Sequence, residues 1–337
     1  MKKVLTTMAI MSLASSAVMA AGPTMYGKLH LSTDYMDNNG SSADVSSYDG
    51  WQLNSNSSRI GVKGSEDLGN GMKVGYLIEW NVDMDGGNDD NNLTARNRAI
   101  TLSGDWGTAL AGRWDTPFKT VGRKLDLFGD KIGDTRNLTE MDDRENNTVA
   151  YSTPNMNGFS ATGAYVFDES NDSDNDAYSV NGIYANGALE AMIAWTRVNG
   201  GSGQETTDAY RIGGSYRFGD AKVLASYDDY SGLGHIKDND PSVWTVGGSY
   251  TLGNNDLKLQ YSDRDESDSG MKDGADMTTI GIDHNYSKRT QMYAAYSMVS
   301  NDSNARLVSW GGGHGNNVHG VAGEDADVFS LGVIHKF

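Results

Sequence analysis

The chain closes with "SLGVIHKF" (residues 330–337), so its last residue is an aromatic one. With Phe329 in front, Phe329, Leu331, Val333, His335 and Phe337 alternate with Ser330, Gly332, Ile334 and Lys336. Soluble chains more often end in a frayed polar tail. Period-two alternation reads as a strand with two unlike faces. What this last strand pairs with, and what its apolar face meets, decides the fold.

The same alternation runs through the chain. In "SRIGVKGSE" (58–66), Ile60 and Val62 oppose Arg59, Gly61 and Lys63; in "AKVLASYDDY" (221–230), Val223, Ala225 and Tyr227 oppose Lys222, Leu224 and Ser226. No sustained 3.6-residue stripe competes with it. The connections alternate between two classes. Seven are short: 68–72, 104–108, 153–158, 185–188, 218–221, 252–256 and 286–290. Eight are long and polar: 38–56, 83–93, 119–146, 168–176, 199–206, 229–241, 263–275 and 300–325. Seven turns and eight loops give sixteen strands with both termini on the tight-turn side. An even count of antiparallel strands of weak contrast, joined by short turns at one end and long loops at the other, describes a transmembrane β-barrel. An open sheet of that size leaves two edges unpaired, which water tolerates badly and a bilayer does not tolerate at all. The expected fold is therefore an all-β, closed 16-stranded antiparallel barrel. The last strand, about 326–337, is expected to seal it against "TMYGKLHLSTDYM" (24–36), with Phe329, Leu331, Val333 and Phe337 facing lipid and Phe337 in the aromatic girdle.

Composition agrees with export. "MKKVLTTMAIMSLASSAVMA" (1–20) opens on Lys2 and Lys3, continues apolar and ends on the small-residue site Val18-Met19-Ala20, the pattern of a signal peptide cut after Ala20. The remaining 317 residues, 21–337, form the barrel and carry a formal charge of −20. That charge argues against nucleic-acid binding. No cysteine is present, which excludes thiolate metal sites and a Cys nucleophile.

Several segments carry a family resemblance. "GRWDTPFKT" (112–120), following "LSGDWGTALA" (102–111), resembles the glycine-arginine and threonine-proline strand of Gram-negative general diffusion porins; "NNTVAYSTPNMNG" (146–158) is similar to the strand that follows, and "GVIHKF" (332–337) to the terminal segment. "MYGKLHLS" (25–32) and "SRIGVKGSEDLGNGMK" (58–73) resemble the first two strands. The resemblance spans the mature chain. It implies an outer-membrane homotrimer in contact with lipid and lipopolysaccharide, inserted by the barrel assembly machinery through the C-terminal strand, with the third loop folded into the lumen. The chain lacks the proline-glutamate-phenylalanine-glycine-glycine run of enteric members in that loop, which places it in the wider proteobacterial branch.

A sixteen-stranded barrel encloses an aqueous lumen, and the narrowest point sets selectivity. The candidate constriction is loop 119–146. Leu125, Leu127, Phe128, Ile132 and Leu138 are expected to pack it against the inner wall, and Asp126, Asp130, Asp134, Glu140, Asp142 and Asp143 to line one side of the opening. Strand phase nominates a basic wall opposite: Lys28, Arg59, Arg113 and Arg144, with Lys63 and His30 in the same phase. Acids facing bases across the gap impose a transverse field on passing solutes. Arg96 and Arg98 share the phase of Ile100 and Leu102, so alternation points them outward. A charge on the lipid face at mid-bilayer costs roughly 2–4 kcal/mol, so they belong at the interface unless a bulge shifts the phase.

Other motifs do not complete a site. "DSDNDAYSVNGI" (172–183) has acids at calcium-loop spacing, but Ala177 and Ile183 stand where a glycine and a bidentate glutamate are required. The acidic run 263–276 has no better match. "WGGGHGNNVHG" (310–320) has too few fixed ligands for a metal and reads as a mobile eighth loop. No Gly-x-Ser-x-Gly nucleophile elbow appears. No cofactor, metal or catalytic residue is expected. The reading is passive diffusion of ions and small hydrophilic solutes, with a mild cation preference from the acidic excess. A substrate-specific porin, for a sugar or organic acid, is the alternative, ahead of a barrel enzyme or an adhesin.

Overall fold

A computed structural model describes residues 22–40, 47–86, 93–169, 175–201, 203–268, 270–310 and 318–337. The expected signal peptide, 1–20, lies outside the described residues. In chain order the strands are β1 (Thr24–Asp37), β2 (Asp49–Ser55), β3 (Arg59–Gly69), β4 (Met72–Val82), β5 (Leu93–Gly104), β6 (Gly107–Asp115), β7 (Arg144–Ser152), β8 (Phe159–Val166), β9 (Ala177–Asn186), β10 (Leu189–Val198), β11 (Thr207–Phe218), β12 (Ala221–Ser231), β13 (Ser242–Leu252), β14 (Asn255–Arg264), β15 (Ala275–Asn285), β16 (Thr290–Asn301) and β17 (Ala326–Lys336). One short helix, α1 (Pro117–Gly122), follows β6.

These seventeen segments make sixteen staves, because β2 and β3 are two halves of one strand that both pair with β1. Between the pairs Lys28↔Arg59 and Leu31↔Ser55, β1 advances three residues and its partner four. The additional residue is a bulge at 56–58, with Ser57 at φ 53°. His30 absorbs the break. Its carbonyl accepts from the Asn56 N–H at 2.8 Å and from Ser58 Oγ at 3.0 Å, and its N–H donates to Ser58 Oγ at 2.9 Å. The first loop is correspondingly shorter than the sequence suggests, since β2 occupies 49–55.

The terminal strand closes the cylinder. β17 pairs with β16 on one side and with β1 on the other, running from Lys28↔Lys336 to Asp37↔Asp327. The Gly27 and Phe337 backbones exchange two hydrogen bonds of 3.1 Å. A side chain at 27 would start 2.4 Å from the Phe337 ring, so glycine is what lets the ring lie there. Val328 and Ser330 are buried inward, while Phe329, Leu331, Val333 and Phe337 are exposed on the outer surface. With β2 and β3 counted as one stave, each stave thus has a neighbour on both sides and the cylinder is closed.

The apolar core lies inside the barrel, where the third loop packs against the wall. The outer face is the exposed apolar one, carrying Ile78, Ile100, Ile193, Ile212, Leu259 and Ile280. That inversion is what a bilayer as solvent requires.

Candidate functional site: a loop-constricted lumen

Loop 3 leaves β6 at Asp115 and returns at Arg144. Thr116 caps α1, its Oγ1 accepting from the Lys119 N–H at 3.2 Å, and Pro117 fixes the first turn. The loop then descends along the inner wall. Phe118, Val121, Leu125, Phe128, Ile132 and Leu138 are all buried. Three inward glycines receive them: a Cβ at Gly213 would meet Leu125 at 2.6 Å, at Gly247 Leu127 at 2.9 Å and at Gly281 Phe128 at 2.8 Å.

Polar wall residues satisfy the loop backbone. Ser179 Oγ accepts from the Phe118 N–H, and Asn181 donates to the Pro117 carbonyl. Gln260 accepts from Leu127 N–H at 2.9 Å and donates to the Gly133 carbonyl at 3.2 Å. Arg264 donates to the Leu138 carbonyl at 2.7 Å, and the Glu140 N–H donates to the Tyr230 hydroxyl at 3.0 Å. Loop 3 is therefore bound along its length, not merely tucked in.

At its tip, Asp130 reaches the opposite wall. Its carboxylate lies 2.7 Å from Lys28 Nζ and 3.0 Å from Arg136 Nη2, with Arg59 and Arg123 each at 3.7 Å. Burial pushes this carboxyl up, but Lys28, Arg123, Arg136 and Arg59 reverse that and hold it well below the usual carboxylate range. Beside it on β4, Glu79 takes Arg96 Nε at 2.7 Å and Arg59 at 3.6 Å. A third carboxylate, Asp115, holds Arg144 at 2.9 Å and Lys119 at 3.6 Å. Asn97 links it further, donating to Asp115 at 3.0 Å and accepting from Arg144 Nε at 2.6 Å.

The six loop acids occupy three different environments. Asp130 faces the basic wall as described. Asp126, Asp134 and Asp142 are turned into the loop and the far wall. Asp126 accepts from Phe128 N–H and Gln260; Asp134 caps the 3-10 turn Thr135–Asn137 and pairs with Arg136 at 2.5 Å; Asp142 pairs with Arg211 of β11 at 2.7 Å. Glu140 and Asp143 are exposed, Glu140 with Arg264 at 3.7 Å. The loop therefore does not present one continuous acidic face.

The basic residues also divide. Lys28 and Arg59 meet at Asp130, and Arg144 stands one cluster away at Asp115. Arg113 joins neither: it donates to Asn146 at 2.8 Å and stands across the ladder from Arg98. Arg98 lies over the Trp80 ring, 5.4 Å from its centroid. Lys63 lies over Tyr26, 5.1 Å from the centroid.

Arg96 corrects the outward reading. Simple alternation sends it to the interface, yet it is buried inside against Glu79. The reason is a bulge: between Ile78↔Arg98 and Trp80↔Ala95, β4 takes two steps and β5 three. Glu79, Lys119, Arg123 and Arg136 also belong to the site and escaped the sequence reading. Glu79 was visible as an acid in the inward phase of β4, cross-strand from Gly61. The two loop arginines carried no such signal.

Together Lys28, Arg59, Arg96, Lys119, Arg123, Arg136 and Arg144 share four carboxylates, Glu79, Asp115, Asp130 and Asp134. Within these ion pairs the cations outnumber the carboxylates by three, in a chain that is strongly acidic overall.

A closed antiparallel barrel, apolar outside, with one long loop bound inside a charged lumen, defines a channel protein of the bacterial outer membrane. The chain belongs to the Gram-negative porin family, whose model matches residues 6–304. It is 30% identical over 361 residues to outer membrane porin protein 32 of Delftia acidovorans, covering all of both chains. Among solved structures it is similar to an anion-selective porin from Comamonas acidovorans, with a TM-score of 0.80, 27% identity, and 94% of this chain and 99% of the other covered. The trimer form of OmpT from Vibrio cholerae shares the fold at 17% identity, with a TM-score of 0.70 over 95% and 100% of the two chains.

Proposed function

We propose that this outer-membrane porin passes small hydrophilic solutes passively, and that its constriction favours anions. The observation that carries the reading is that, in the set of ion pairs joining loop 3 to β1, β3, β5 and β7, seven cationic side chains share four carboxylates. A charge ring at the narrowest point outweighs charge in wide mouths, because field lines focus where low-dielectric walls approach. This replaces the mild cation preference expected from net charge alone. The anion selectivity of the Comamonas relative supports the same sign.

Lys28, Arg59, Arg96 and Arg144 form the basic wall in this reading, with Arg123 and Arg136 reaching it from the loop. Asp130 is the acid that faces them. Arg113 is left to a supporting role at the loop's root. Solutes cross without turnover. Three copies assemble, as the family resemblance implies and as the OmpT trimer supports. Phe329, Leu331, Val333 and Phe337 face lipid, the strand they end is what the assembly machinery reads, and lipopolysaccharide surrounds the outer rim.

Single-channel recording of the purified protein tests this. Ohmic steps closing in groups of three are the expected result. Steps blocked by one sugar or organic acid would assign a substrate-specific channel instead, and folded protein without conductance would remove the channel reading.

A further inference from the structure

The inner wall of this barrel is not uniformly wet. On the arginine side, Thr101, Ser103 and Leu110 keep partial exposure. On the adjoining side, Asp34 and Met36 of β1, Met277 of β15, Ser297 of β16 and Val328 and Ser330 of β17 are at most 1% exposed, although all of them face inward. Their outward neighbours Ile280, Met298 and Phe329 are exposed, so the burial comes from within the lumen.

Loop 3 does not account for all of it. Loop 8 follows β16, and its described residues fold inward. Ser309 is 0% and Trp310 1% exposed, although both belong to an outer loop. Trp310 packs in one apolar cluster with Met36, Val299 and Val328 of the wall, and Leu307, Val308 and Val318 pack against that cluster. The loop is pinned at three points and braced internally at a fourth. The Gly133 N–H at the tip of loop 3 donates to the Ser309 carbonyl at 2.8 Å. Trp310 Nε1 donates to the Val318 carbonyl at 2.6 Å, and Asn38 of loop 1 donates to the His319 carbonyl at 2.9 Å. Asn301 brackets Leu307, accepting from its N–H and donating to its carbonyl, both at 2.9 Å.

We infer that the described part of loop 8, 302–310 and 318–325, is a second, fixed constriction element. The Ser309–Trp310 segment wedges behind the tip of loop 3 and fills the β15–β16–β17–β1 side of the lumen, confining solutes to the cationic side. The wedge does two things. It backs the loop 3 tip from behind while Lys28 and Arg59 hold it in front. It also covers, beyond Lys28 toward the outer loops, a stretch of wall whose inward groups are hydroxyls and a carboxylate, Ser32, Ser330 and Asp34, and not guanidiniums. A path opened there would bypass the arginines and favour cations.

This inference rests on the channel reading, and its test separates the two. Trp310→Ala and a replacement of 307–318 by a short Gly-Ser linker are each purified as folded, heat-modifiable barrels. Their single-channel conductance and reversal potential are compared with those of the unaltered chain, whose conductance establishes the channel itself. The wedge predicts larger conductance and a reversal potential shifted toward cations in both variants. Unchanged conductance and reversal in a folded variant overturns it. A second readout uses the absence of native cysteine. Val328→Cys, at a buried position of the cluster that holds Trp310, is expected to resist a water-soluble thiol reagent in the otherwise unaltered barrel and to react once Trp310 is also Ala. Rapid labelling with Trp310 present overturns the wedge, even if the loop replacement fails to fold.

Discussion

Lys28 Nζ stands 2.7 Å from Asp130 Oδ2, joining the first barrel strand to the tip of a loop 102 residues further on. The pair is buried on both sides, and three more cations crowd the same carboxylate. This contact ties the loop across the lumen and also cancels the acid that faces the basic wall.

Asp130→Asn is therefore expected to act in two ways. Removing one partner of a buried ion pair costs roughly 3–5 kcal/mol, here felt locally at the loop tip. Four cations also lose their common counter-charge. Bilayer recordings should show noisier open levels and a stronger anion preference, whereas a shift toward cations would contradict the placement of Asp130.

Arg96→Gln tests the bulge in β5. Because Arg96 faces the lumen beside Arg59, its neutralisation should lower the anion-to-cation permeability ratio while leaving the barrel folded. A side chain at the membrane interface would leave the ratio unchanged.

Arg211 holds the return limb of loop 3. Its guanidinium bonds Asp142 and Asp228, each at 2.7 Å, donates to the Phe118 carbonyl and lies 4.1 Å from the Phe118 ring centroid. Arg211→Ala leaves two buried carboxylates without their cation, a loss again of roughly 3–5 kcal/mol. The expected outcome is protease cleavage within 119–146 under conditions where the unaltered barrel resists. Arg211→Lys, which keeps the charge but not the fork, should rescue only part of it.

Asp126 supplies a pH dependence. Burial first, and then the neighbouring Asp134 charge, push its carboxyl from 3.8 up to about 7. The folded state thus binds this proton more tightly than the unfolded chain does. Its contribution is favourable below the unfolded pKa and is lost as pH rises through about 7. Asp126→Asn should raise thermal stability in detergent relative to the parent at pH 8 and close that gap at pH 5. A gap that widens toward acid would reverse the sign.

The strand count and closure were legible because period-two alternation and the short-long rhythm of connections are local signals repeated many times. Phe337 could be placed as a sealing residue for the same reason. The two bulges were not legible in that way. At 56–58 and around Arg96, one additional residue changes which face a side chain takes, and nothing in the alternation itself marks the spot. Loop 3 stood out by length and charge, and its place in the lumen followed from the family resemblance, but its acids do not form the single face expected of them. Asp126 and Asp142 bind Gln260 and Arg211, partners 134 and 69 residues further on that only tertiary packing brings to them, while Asp134 turns back on Arg136 within the loop. Trp310 was hidden by its glycine-rich surroundings, which read as mobile.

The most direct test of the central claim is the reversal potential of the unaltered channel across a salt gradient, at low and at high ionic strength. A cationic constriction predicts the sign of an anion-selective pore, weakening as salt shortens the screening length. A cation-selective reversal at low salt would contradict it, because the acidic mouths would then outweigh the arginines that loop 3 and the first strands bring together.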